Sequence, residues 1–183
     1  MKPLFSYIFS FLTDGIPYIL LLLPPYILFR CFRLKKNISS LLSTPKEIVR
    51  AILFVYLIML FTQTFIVNSG RSSIQLIPFR IIITQLKHAF KTHGNSSPFI
   101  FNIIGNIGVF IPVGIIFAYL LDSDIKKTVL YGSLISVFIE IVQIPLQRTT
   151  DIDDVILNTT GTVIGCFIFL LLSHILKKRT ATK

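Results

Sequence analysis

The feature that most constrains this chain is a series of apolar runs, each long enough to cross a bilayer and most of them flanked by basic residues. A hydrocarbon core about 30 Å thick is crossed by about 20 helical residues. Stretches 16–32, 48–67, 99–121, 128–146 and 155–176 have that character. Hydrophobic residues make up 53% of the 183, and charged residues 14%. Soluble domains carry about a quarter charged residues, so an ordinary soluble fold is excluded. The expected fold class is all-α. It is a polytopic membrane helical bundle with about five transmembrane helices plus a short interfacial helix, in a single domain over 1–183.

Smaller signals refine this outline. Residues 4–13 are apolar but short, and read as an interfacial segment or an extension of the first span. Asp14 and Gly15 break the run, and Asp14 is a candidate cap for the next helix. Lys2 is the only basic residue ahead of that run, and no small-x-small site follows it, so it is expected to stay as an anchor. Pro24-Pro25 should bend the first span. Within 79–92, Ile82, Ile83, Leu86, Ala89 and Phe90 alternate with Lys87 and Lys91 as in a helix lying on a membrane. Residues 94–98 read as a turn. Gly105, Gly108, Pro112 and Gly114 make the third span thin, and Gly161-x-x-x-Gly165 is a close-packing motif.

A net charge of +10 raises nucleic acid as a partner, but the basic residues flank apolar runs rather than form a patch, so none is expected. Their distribution orients the chain. Arg30, Arg33, Lys35, Lys36, Lys46, Arg50, Lys126, Lys127, Lys177, Lys178, Arg179 and Lys183 fall on one side of a five-span topology. Lys2, Arg71, Arg80, Lys87, Lys91 and Arg148 fall on the other. Twelve against six puts the N-terminus outside and the C-terminus in the cytoplasm.

Polar residues then gather toward the outer side. Glu140 stands in apolar surroundings, where an ionisable group costs about 2.5–3.5 kcal/mol on insertion scales unless it is paired or faces a polar cavity. It is a candidate functional residue, against the alternative of a structural hydrogen bond between helices. Glu140 and Gln143 share a face of the fourth span, Asn102 and Asn106 are four apart on the third, and Asp154 and Asn158 four apart on the fifth. At about 1.5 Å per residue all three pairs lie near the outer end. Arg71, Arg80 and Arg148 lie in the adjoining loops and could pair with Glu140 or with Asp151, Asp153 and Asp154. A site of this make-up suits a polar headgroup, with arginines as clamps for phosphate or carboxylate.

No cofactor or metal is expected. Asp151, Asp153, Asp154 and Glu140 are hard oxygen ligands, but the calcium-loop spacing is absent, and Asp153 or Asp154 fits the start of the fifth helix. His88 and His93 read as interfacial, and His174 as a capping or snorkelling residue. Cys31 and Cys166 suggest no disulfide. No nucleophile motif or phosphate loop is present.

Four segments together resemble the VanZ-like family. They are Arg71 with Gln75-Leu-Ile-Pro78-Phe79, Asn106-x-x-x-Phe110-x-Pro112-x-Gly114, Glu140-x-x-Gln143, and Arg148 with Asp151-x-x-Asp154-x-x-x-Asn158-Thr159-x-Gly161-x-x-x-Gly165. Gln75 departs from the family's usual Asn, and residues 1–67 carry no matching motif. The resemblance implies a multi-pass protein of the bacterial cell membrane, with some members linked to low-level resistance to teicoplanin, a lipid-tailed glycopeptide. It implies no reaction.

Three readings follow. In the first, the protein engages membrane lipid, lipoglycopeptide or a lipid-linked cell-wall precursor through Arg71, Asn102, Asn106, Glu140, Gln143, Arg148, Asp151, Asp154 and Asn158. In the second, it is an enzyme acting on a lipid-linked or polyprenyl phosphate, with Glu140, Asp151 or Asp154 as catalytic candidates and Arg71 or Arg148 as clamp. In the third, it is a small assembly partner docking through Gly161, Gly165 and the thin third span. The oligomeric state is left open.

Overall fold

The structure, a computed structural model, describes residues 4–66, 74–91, 97–146 and 148–181. Eight α-helices occur among them: α1 (Leu4–Thr13), α2 (Ile16–Leu34), α3 (Ile38–Leu42), α4 (Pro45–Ile66), α5 (Arg80–Lys91), α6 (Ser97–Leu120), α7 (Ile125–Gln143) and α8 (Ile152–Ala181). Two short strands, β1 (Ile74–Gln75) and β2 (Thr150–Asp151), pair in parallel, with Ile74 opposite Thr150 and Gln75 opposite Asp151. Four stretches among the described residues are helical, long and apolar enough to cross a membrane: Phe9–Leu34, Asn102–Leu120, Ile125–Leu146 and Ile152–Arg179. The remaining expected span, the second in chain order, corresponds to α4, a 22-residue helix with Lys46, Glu47 and Arg50 in its first two turns.

The chain divides into two compact units, Met1–Asn68 and Ser69–Lys183. In the first, α2 continues through Pro24 and Pro25. Gly15, not Asp14, stands at the α2 N-cap, and no side chain caps the helix there. Asp14 instead faces α4, where Gln63 Nε2 lies 3.5 Å from its Oδ2. A Cβ on Gly15 would lie 3.1 Å from Met59 Cγ, so this break also brings the chain close to α4. Tyr26 stacks on Phe54 at 4.2 Å between ring centroids. Arg30 forks onto the buried Glu47 carboxylate through Nε and Nη2, at 2.6–2.9 Å. Arg50 also pairs with it.

In the second unit α8 packs along α6 and α7. The glycines fix how closely. A Cβ on Gly161 would sit 2.1 Å from the Ile107 carbonyl oxygen, and one on Gly165 2.1 Å from that of Ile111. In return, a Cβ on Gly114 would meet the Thr162 carbonyl oxygen at 2.1 Å. The two backbones thus touch along a seam that admits only glycine. Gly105 and Gly108 have open space where a Cβ would stand, so they are not part of it. Gly132 brings α7 onto the Thr162 side chain. Asp124 caps α7 by accepting the Lys127 N–H at 3.0 Å, which holds its carboxyl below the usual range. Of the expected 94–98 turn, 94–96 lie outside the described residues, and Ser97 and Pro98 open α6.

Candidate functional site

The polar cluster forms where α7 ends and α8 begins. Glu140, on the last full turn of α7, is 5% exposed. Its Oε2 accepts the Asp151 N–H at 2.9 Å, and its backbone carbonyl accepts the Thr150 hydroxyl at 3.3 Å. Gln143, also buried, accepts the Arg148 N–H on its backbone oxygen at 3.4 Å. The Arg148–Asp151 loop is therefore folded back over the end of α7, whose last carbonyls would otherwise lack partners.

The aspartates take separate tasks. Asp151 is the cap of α8, accepting the Asp153 N–H on Oδ1 at 2.9 Å. Burial pushes its carboxyl above the usual range, and the Asp153 N–H pulls the other way. Sequence reasoning gave the start of α8 to Asp153 or Asp154. Both lie in its first turn, but neither supplies this cap. Asp153, 1% exposed, crosses to α5. Its Oδ1 accepts the Phe79 N–H, and its Oδ2 accepts those of Ile81 at 3.0 Å and Ile82 at 3.2 Å. One carboxylate thus meets three of the free donors at the start of the interfacial helix. Phe79 has φ 63°, a left-handed conformation that a bulky residue holds only when its surroundings impose it. Asp153 supplies that constraint.

Asp154 points the other way, to α6, where its Oδ1 accepts from Asn106 Nδ2 at 2.6 Å. One turn further along α8, Asn158 donates to Ser136 Oγ of α7 at 2.9 Å. Asn158 is 6% exposed, and its carbonyl oxygen Oδ1 is buried without a hydrogen-bond partner among the described residues. An acceptor left in that state costs about 1–3 kcal/mol. Arg148 acts electrostatically on both Glu140 and Asp154, opposing the mutual repulsion of Glu140, Asp151, Asp153 and Asp154.

The structure joins Asn106 with Asp154, Glu140 with Asp151, and Asn158 with α7. Asn102 lies a turn nearer the start of α6, is half-buried, and makes no hydrogen bond to another described residue. Arg71 and His93 lie outside the described residues. Arg80 donates to Gln75 Oε1 at 3.3 Å rather than to a carboxylate. His174 is exposed on α8, beside Lys178 and Arg179. No group of three or more His, Cys, Asp or Glu side chains among the described residues is arranged to hold a metal. Sequence reasoning missed Ser136 and the cross-chain role of Asp153. The signal for Ser136 was its position four residues before Glu140, on one helical face.

These features define an α-helical multi-pass membrane protein with a carboxylate–amide cluster at one end of three packed helices. A family model described as VanZ/LLP1 matches residues 48–173. The chain belongs to that family. The match begins inside α4, some twenty residues before the first motif legible by eye. No curated protein and no solved structure matches the chain.

Proposed function

We propose that this VanZ-type membrane protein engages an outer-leaflet amphiphile through the α6–α7–α8 cluster, and so lowers susceptibility to lipid-tailed glycopeptides such as teicoplanin. The amphiphile is a membrane lipid, the drug itself or a lipid-linked cell-wall precursor. Asn106, Glu140, Gln143, Asp154 and Asn158 contact its headgroup, Arg148 balances their charge, and the tail stays in lipid. The N-terminus faces outward and the C-terminus the cytoplasm, on the charge asymmetry of the loops.

The observation that carries this reading is the convergence of polar groups from three apolar helices, with Glu140, Gln143 and Asn158 buried and the Asn158 carbonyl oxygen left without a partner among the described residues. Polar groups at such depth are costly, and mark ligand sites in membrane proteins. The test is the minimal inhibitory concentration of teicoplanin and of vancomycin, with and without the protein. A rise for teicoplanin alone, lost with Glu140→Gln at equal expression, is expected. No change for either drug overturns the resistance role. Topology is checked by thiol labelling in a variant lacking Cys31 and Cys166. Lys178→Cys should react only after the membrane is opened, and labelling of intact cells would reverse the orientation.

A second reading, an enzyme acting on a lipid-linked phosphate, draws on the Arg148 charge beside Glu140 and Asp154. Release of phosphate from a labelled polyprenyl phosphate by purified protein tests it, and no turnover with or without divalent metal removes it for that substrate.

A further inference from the structure

We propose that the α7–α8 part of the cluster is a subsite for a primary ammonium group. The proposal deepens, and rests on, the reading that this cluster engages an amphiphile. Ser136 and Glu140 share a face of α7, and Asp154 and Asn158 share a face of α8 that meets both neighbours, with Asp154 turned to α6 and Asn158 to the α7 interface. Asn158 and Ser136 meet across it at 2.9 Å.

Two separate observations point to the chemistry of the ligand. The first is the orphan. Asn158 donates an amide N–H to Ser136 and leaves its carbonyl oxygen buried with no donor to it among the described residues. The second is the balance of donors and acceptors around it. Asp154 uses Oδ1 on Asn106, and Glu140 uses Oε2 on the Asp151 N–H. Each carboxylate has a second oxygen that is also an acceptor by type. The nearby charges are three carboxylates, Glu140, Asp151 and Asp154, with Arg148 as the cation that acts on two of them. Asp153 is set apart, engaged with three backbone donors of the 79–82 segment.

Such a site holds more acceptors and negative charge than donors and positive charge. A phosphate brings only acceptors and negative charge, and would face carboxylates. A quaternary ammonium brings charge but no N–H. A primary ammonium brings both, with three N–H donors from one small group. Charge-assisted hydrogen bonds to carboxylates are among the stronger ones available. The phosphate of an amine-bearing headgroup would then point away from Glu140.

Purified full-length protein in detergent tests this by thermal unfolding against two short-chain lipids. Dihexanoyl-phosphatidylethanolamine and dihexanoyl-phosphatidylcholine share tails, phosphate and positive charge, and differ in N–H donors. The ethanolamine lipid should bind roughly tenfold more tightly, the value of one charge-assisted hydrogen bond. Asn158→Leu and Glu140→Gln, each with native helical content, should erase the preference. Asn158→Asp, which keeps shape and acceptor, should retain it, and gives an answer if the leucine variant fails to fold. Phosphoethanolamine, the same headgroup without tails, separates the sources. Binding without tails assigns a soluble amine, and a need for tails assigns a lipid.

Equal affinity for the two lipids overturns the ammonium subsite while leaving amphiphile binding in place. A preference that survives both Asn158→Leu and Glu140→Gln overturns its location. Absence of saturable binding by either lipid overturns the subsite and counts against the amphiphile reading as well.

Discussion

Glu47 and Glu140 are both buried glutamates on long apolar helices, at 8% and 5% exposure, yet their surroundings differ in kind. Glu47 is held by two guanidinium groups, with Arg30 forked across both carboxylate oxygens and Arg50 one helical turn away. Its charge and lone pairs are met. Glu140 has one backbone N–H on one oxygen, and lies among aspartates with a partly balancing arginine. The first arrangement is what a stable fold needs from a buried acid. The second leaves a cost standing, as binding and catalytic sites do. Burial of an acid alone does not distinguish structure from site. The completeness of its partners does.

That contrast breaks most readily at Glu47. Removing one partner of a buried ion pair strands the other charge. Glu47→Ala should destabilise the protein by about 3 kcal/mol, read as a lowered thermal midpoint by circular dichroism in detergent. A loss comparable to that of an exposed pair would mean the Arg30 fork is dispensable.

Next in size is the α6–α8 seam. Gly161→Ala places a Cβ against the Ile107 carbonyl and the Phe110 Cβ, neither of them the far end of a flexible side chain. About 2 kcal/mol of destabilisation is expected, whereas Gly108→Ala, with open space at that position, should be neutral or stabilising in the same assay. Equal effects would show that the seam is not where the helices are held.

Asp153→Ala comes third. It removes the acceptor of three N–H groups at the start of α5 and frees the left-handed Phe79. About 1–2 kcal/mol is expected on the scale of helix caps, together with faster proteolysis within α5. Unchanged cleavage there would remove Asp153 as the anchor of the interfacial helix.

Much of this was legible in the sequence. The spans showed as apolar length, and the similar depth of Asn106 and Asp154 was readable from their distance to the helix ends, though their hydrogen bond to each other was not foreseen. The seam was signalled by Gly161-x-x-x-Gly165, whose glycines are taken up by α6 within the chain. What stayed hidden has a common cause, which is that side chains bind backbone. The partners of Asp153 are N–H groups more than seventy residues away, and every residue but proline has one, so no residue type marks them. The cap of α8 lies at Asp151 rather than its neighbours because β2 pairs with β1 and fixes where the helix starts. Asp14 fails to cap α2 because Gly15, already in helical conformation, takes the N-cap position.

The smallest expected effect is the one on which the account turns. Glu140→Gln keeps an oxygen for the Asp151 N–H and removes one charge from a crowded acidic cluster. The thermal midpoint of that variant in detergent, measured beside the natural chain, is the most direct test. A midpoint unchanged or raised is expected, within about 1 kcal/mol of stability. A fall as large as that of Glu47→Ala would make Glu140 a structural residue and contradict its place in a binding site.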